Sequence, residues 1–163
     1  KTLATKTLRA RLVGQLQPTQ RLVRHHRLPC THGPCFMPFH DQLVQQHAKD
    51  TAFHYDGQVF LHQQAQSNPW CGDELTLYCL NPSPWHCRFT ADACALCVAS
   101  ATAMCRCVAS RPTAAVSALC QAFLDAESSL PESLQWLRQT AQQYRVRSQC
   151  IALPWLALQA MLA

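Results

Sequence analysis

From residue 59 onward, hydrophobic positions change period once, from two to about three and a half. The first part alternates. Residues 59–65 read as a strand, entered through a turn at Asp56-Gly57 and broken by Asn68-Pro69. Across residues 73–80, Leu75, Leu77 and Cys79 fall on one face and Thr76 and Tyr78 on the other, which predicts a second strand. Asn81-Pro82-Ser83-Pro84 is a turn, and Trp85, Cys87 and Phe89 then alternate through a third strand over residues 85–90. Links this short between strands predict an antiparallel meander.

The second part has the helical period. Residues 93–107 are rich in Ala and hold no Gly or Pro. A further helix starts near Pro112, whose ring suits a first turn, and presents Ala115, Val116, Leu119, Cys120, Phe123 and Leu124 to a core. Leu130, Leu134, Leu137 and Ala141 form one stripe over residues 130–144, and Ile151, Trp155, Leu158 and Leu162 another from about Cys150 to the end. A short helix over residues 39–47 precedes the strands, with Phe39, Leu43 and Val44 on one face. Strands followed by helices predict an α+β fold, a three-stranded antiparallel sheet packed by helices.

Charge divides the chain in two. Residues 1–38 hold seven basic side chains and no acid, whereas the remaining 125 residues hold seven basic and nine acidic ones, a balance of −2. The net charge of +5 therefore belongs to a basic extension, expected to be disordered, ahead of a domain over residues 39–163. A targeting peptide is the alternative for that extension. A body so balanced is not expected to bind nucleic acid. Every apolar stretch of near-spanning length carries a charge or a turn residue, so no membrane segment is expected.

The cysteine count, 11, is odd, and with only four Gly it does not resemble a secreted disulfide framework. A reduced, cytoplasmic chain with some metal-binding thiolates fits better. Cys79, Cys87 and Cys120 fall on apolar faces and are expected in the core, as is Cys97, for which a spare ligand or second sulfur acceptor is the alternative; Cys105 and Cys107 read as packing or surface thiols. The extension also gathers His25, His26, Cys30, His32 and Cys35, ligand types that suit zinc in a spacing that matches no finger pattern.

The most informative string is Asn68-Pro69-Trp70-Cys71-Gly72-Asp73. In an extended chain Cys71 and Asp73, two apart, point the same way, and a thiolate beside a carboxylate attracts a cation. A buried Cys next to a turn Asp is the plainer explanation of that pair alone. Cys94 stands where the third strand gives way to a helix, and Cys150 stands at the start of the last helix, after Arg145 and Arg147. Helix N-termini and nearby arginines favour thiolates. Three thiolates and one carboxylate make a four-coordinate set that suits zinc.

The same strings carry a family resemblance. Asn68-Pro69 with Cys71-Gly72-Asp73 ahead of a strand resembles the first-cysteine motif of the IscU/NifU family. The run from Asp92-Ala93-Cys94 to Met104 is similar to its second-cysteine helix. The run from Arg147-Ser148-Gln149-Cys150 to Leu158 resembles its third-cysteine helix, and the segment from Phe39 to His47 its opening helix. Family scaffolds of the IscU type have His before the third cysteine. Gln149 there, and room for two helices between Cys94 and Cys150, point to the SufU branch. Ala93 replaces the usual Gly, and Lys49-Asp50-Thr51-Ala52 stands where Asn-Pro-Arg is usual.

The resemblance implies a protein of iron–sulfur cluster assembly. Its metal ligands would be Cys71, Asp73, Cys94 and Cys150, holding zinc, with Cys71 accepting persulfide sulfur from a SufS-like cysteine desulfurase. Two alternatives stand beside this zinc-dependent sulfurtransferase: a scaffold that builds a [2Fe–2S] cluster on the same ligands, and a non-catalytic relative whose zinc only holds the fold.

Overall fold

The computed structural model describes residues 38–82, 84–125 and 130–163. The basic extension, apart from Pro38, and the His/Cys group at residues 25–35 lie outside them. A first helix, α1 (Pro38–Lys49), leads into strands β1 (His62–Asn68), β2 (Asp73–Pro82) and β3 (Trp85–Asp92). Helices α2 (Ala95–Val108), α3 (Thr113–Leu124), α4 (Glu132–Gln143) and α5 (Ser148–Leu162) complete the chain, with a single 3-10 turn at Arg145–Arg147 before α5. The sheet is an antiparallel meander in the order β1-β2-β3. The expected α+β class and strand order are what the chain adopts.

Alternation explains which face of the sheet is covered. Leu75, Leu77 and Cys79 of β2 and Trp85, Cys87 and Phe89 of β3 are buried together on one face. Gln64, Gln66 and Asn68 of β1 share that face through register with Leu77, Leu75 and Asp73. The central strand is thus apolar and its outer neighbour polar, as suits an edge that faces water. α5 lies on β1 and β2 and against α2 and α3, while α1 packs on α2.

The first strand is displaced from its expected place. It begins at His62, and Val59 and Leu61 are 83% and 73% exposed instead of paired. Aromatic packing on the opposite face of the sheet accounts for the shift. Phe60 joins Tyr55 and Tyr78, whose rings stack with centroids 4.4 Å apart. Drawing Phe60 there turns its two apolar neighbours outward, and polar residues 62–68 take up the ladder.

Candidate metal centre

One end of the sheet meets the starts of two helices, and the candidate ligands gather there. The β1–β2 link is four residues long. Asn68 organises it: its carbonyl accepts the Gly72 N–H at 2.9 Å and its side-chain Oδ1 accepts the Trp70 N–H at 3.1 Å. Gly72 sits at φ +74°, a region costly for a residue with a Cβ. This bend, not strand alternation, brings Cys71 back beside Asp73. Cys71 is left exposed, while Asp73, the first residue of β2, is buried and only 5% exposed.

Asp73 is the hub. Its Oδ1 accepts the backbone N–H of Cys94, the residue capping α2, at 2.9 Å. Its Oδ2 is buried with no hydrogen-bond donor aimed at it among the described residues. Burial alone would raise its pKa; the Cys94 N–H and the surrounding thiols of Cys150, Cys94 and Cys71 outweigh it and hold the carboxyl below its ordinary range.

Cys150 comes from the first turn of α5, where its Sγ lies 3.4 Å from that of Cys71 and takes a weak bond from the Asn68 amide at 3.8 Å. One ligand atom each from Cys71, Asp73 and Cys150 falls within 4.8 Å of the others. Cys94 is not in that closest set. Its amide is fixed on the carboxylate, and its thiol lies near enough to stabilise it.

Charge at Cys150 departs from expectation. A helix start and two arginines predict an easily ionised thiol. Burial first, then the neighbouring Cys71 thiol and the negative Asp73 carboxylate, push its pKa up instead. Arg145, Val146 and Arg147 line the cleft above the cluster, and all three are exposed. The cleft itself is open and encloses about 590 Å³.

The remaining cysteines sort by burial. Cys79, Cys87, Cys97, Cys105 and Cys120 are buried in the core. Cys97 lies behind the centre, where burial first, and the negative charge of Asp73 next, raise its pKa. Cys107 is half-buried, its sulfur 3.5 Å from the Ser133 hydroxyl. No disulfide joins any described cysteine. Asn68 does more than the strand breaking expected of it. Its position three residues before Cys71, in an Asn-Pro turn, is the sequence signal for that role.

Comparison with known proteins finds fold relatives only. No family model matches the chain, and no curated protein matches it by sequence. Among solved structures it is similar to a protein from the thermophile Fervidobacterium islandicum AW-1, assigned as a SufU iron–sulfur cluster assembly scaffold for the SUF system. That match has a TM-score of 0.64 at 21% identity and covers 75% of this chain and 95% of that one. It is also similar to the N-terminal part of a nitrogen-fixing NifU-like protein from Brucella abortus, with a TM-score of 0.61 at 17% identity, over 74% of this chain and 90% of the other. The chain has the fold that these SufU- and NifU-like proteins share.

Proposed function

We propose that this chain serves iron–sulfur cluster assembly as a sulfur acceptor, with Cys71 taking persulfide sulfur from a cysteine desulfurase. The observation that carries this is the convergence of Cys71, Asp73 and Cys150, from segments 79 residues apart, on the floor of an open cleft.

The residues present fit a zinc ion. A buried carboxylate oxygen without a donor, set among sulfurs, is costly unless a cation completes it. Three Cys sulfurs and one Asp oxygen are a donor set zinc accepts. Cys71, Asp73, Cys94 and Cys150 would hold it, and bound zinc would keep their thiols ionised at neutral pH. Cys71 alone of the three clustered groups is exposed, so it is the one an incoming persulfide reaches. Transfer of the outer sulfur to Cys71 is thiol–persulfide exchange, governed by thiolate fraction and access. Arg145 and Arg147 give the cleft a positive rim, which favours an anionic persulfide.

The partner in this reaction is a SufS-like desulfurase, and a reducing compartment such as the cytoplasm suits its thiols. No helix among the described residues is long and apolar enough to cross a membrane. Stimulation of a desulfurase by the full chain is the decisive assay: Cys71→Ser should abolish sulfur uptake, and uptake at the unchanged level would end the assignment.

The scaffold reading also has a specific observation in its favour, since the Fervidobacterium neighbour is itself assigned as a scaffold. Here the [2Fe–2S] cluster is cargo on the same ligands. Colour separates the two. A colourless protein with one zinc per chain supports the acceptor, whereas brown protein after anaerobic loading with iron and sulfide supports the scaffold. A chain that holds zinc but neither stimulates a desulfurase nor takes up a cluster is the third case, a zinc-stabilised relative.

A further inference from the structure

Two sulfurs in van der Waals contact, one open to solvent and one behind it, form a pair that can react with each other as well as with a partner. Cys71 is exposed and Cys150 is buried, with Sγ atoms 3.4 Å apart. A disulfide needs about 2.05 Å, so the approach still required is a little over an ångström. Cys71 sits exposed on the four-residue β1–β2 link; Cys150 sits in the first turn of a packed helix and is oriented by the Asn68 amide. Cys94 is outside the closest set, so Cys150 is the thiol best placed to meet whatever Cys71 carries.

We infer that Cys150 is a resolving thiol: it attacks Cys71 Sγ once that residue bears a persulfide, closing a Cys71–Cys150 disulfide and releasing the outer sulfur as sulfide. This rests on the acceptor reading of Cys71. The step balances without an external oxidant. The bond between Cys71 Sγ and the outer sulfur breaks as the Cys71–Cys150 bond forms. Cys150 Sγ is oxidised from the thiol to the disulfide level as the departing sulfur is reduced to sulfide, and Cys71 Sγ keeps its oxidation level. The Cys150 proton leaves on it, so a persulfide anion and a thiol become a disulfide and HS⁻.

The consequence is a built-in brake. Each discharge removes two of the four proposed ligands, so the site must be reset by a dithiol reductant before it can hold metal or accept sulfur again.

The test uses the full chain, reduced, stripped with a chelator and kept anaerobic. One arm is charged with a cysteine desulfurase and cysteine, the other with inorganic polysulfide. Intact mass should first show one added sulfur atom, then a species two hydrogens lighter than the starting dithiol, with one sulfide released. Peptide mapping should place the new link between Cys71 and Cys150, and dithiothreitol should restore the original mass. In Cys150→Ser the added sulfur should persist about tenfold longer. The inference is overturned if wild-type persulfide is as long-lived as in that variant, or if the disulfide maps to another pair. Mapping of the wild-type chain decides this even where the variant folds poorly. If only polysulfide charges Cys71, the desulfurase-acceptor reading fails while the role of Cys150 is still judged.

Discussion

Asp73 keeps a negative charge although its side chain is buried at the floor of the cleft. Its folded pKa lies below the ordinary carboxylate value, so ionisation favours the native state. That contribution is present above the ordinary value of about 3.9 and is lost as pH falls through the lower folded value. The metal-free chain should therefore lose stability below about pH 4, and Asp73→Asn should flatten that dependence; urea midpoints across pH measure it. Zinc affinity of the same variant, read by competition with a chromophoric chelator, should fall at least about tenfold. Gly72 acts on the same site through the backbone. No atom lies within 4 Å of where its Cβ would stand, so Gly72→Ala is opposed by the left-handed conformation alone, at about 1–2 kcal/mol. At this scale the sequence showed Cys71, Asp73 and Cys150 as candidates, because their neighbours Pro69, Gly72 and the helix start are local signals. It showed neither that the Cys150 thiol is raised nor that Cys94 contributes first through its amide, since both depend on groups distant in the chain.

α5 is the element on which the site depends most, because it carries Cys150 and covers the sheet. Trp155 anchors it. The indole donates to Ser100 Oγ at 3.1 Å, Ser100 in turn donates to the Ile151 carbonyl at 2.7 Å, and the ring stacks on Phe123 at 4.0 Å. The Cys120 thiol donates to the Trp155 carbonyl. Trp155→Ala should cost about 3–5 kcal/mol in chemical denaturation and weaken metal retention together with it. Pro154 lies in the second turn of this helix, which begins at Ser148. It has no N–H to offer the Cys150 carbonyl, so the turn that carries Cys150 is held by side chains and packing as well as by its ladder. The helices were legible as elements because their stripes are strong: Val116, Leu119, Leu134, Leu137, Ile151 and Leu158 are all buried as the period requires. β1 was legible only as a strand near its place. Its register answers to Phe60 packing with Tyr55 and Tyr78, and no local pattern announces that contact.

Across the whole molecule the candidate centre ties together three segments that are remote in sequence: the β1–β2 link, the junction of β3 and α2, and the start of α5. An ion bound there restrains all three, and its binding free energy adds to that of folding. Zinc at a hundred times its dissociation constant should stabilise the chain by about 2.7 kcal/mol, seen as a thermal midpoint several degrees higher and reversed by chelation. An unchanged midpoint would count against a metal that bridges these segments.

The sequence by itself determined the class of fold, the order of its elements and most of the core, and it offered Cys71, Asp73 and Cys150 as candidates for one site. Periodicity and turn chemistry are properties of neighbours, and neighbours are what a sequence records. Only the tertiary structure decided which sulfurs touch, which thiol is exposed and which is sealed behind it, and where the edge strand begins. Those outcomes come from packing between segments tens of residues apart, where burial and charge from distant side chains override the local preference of each residue.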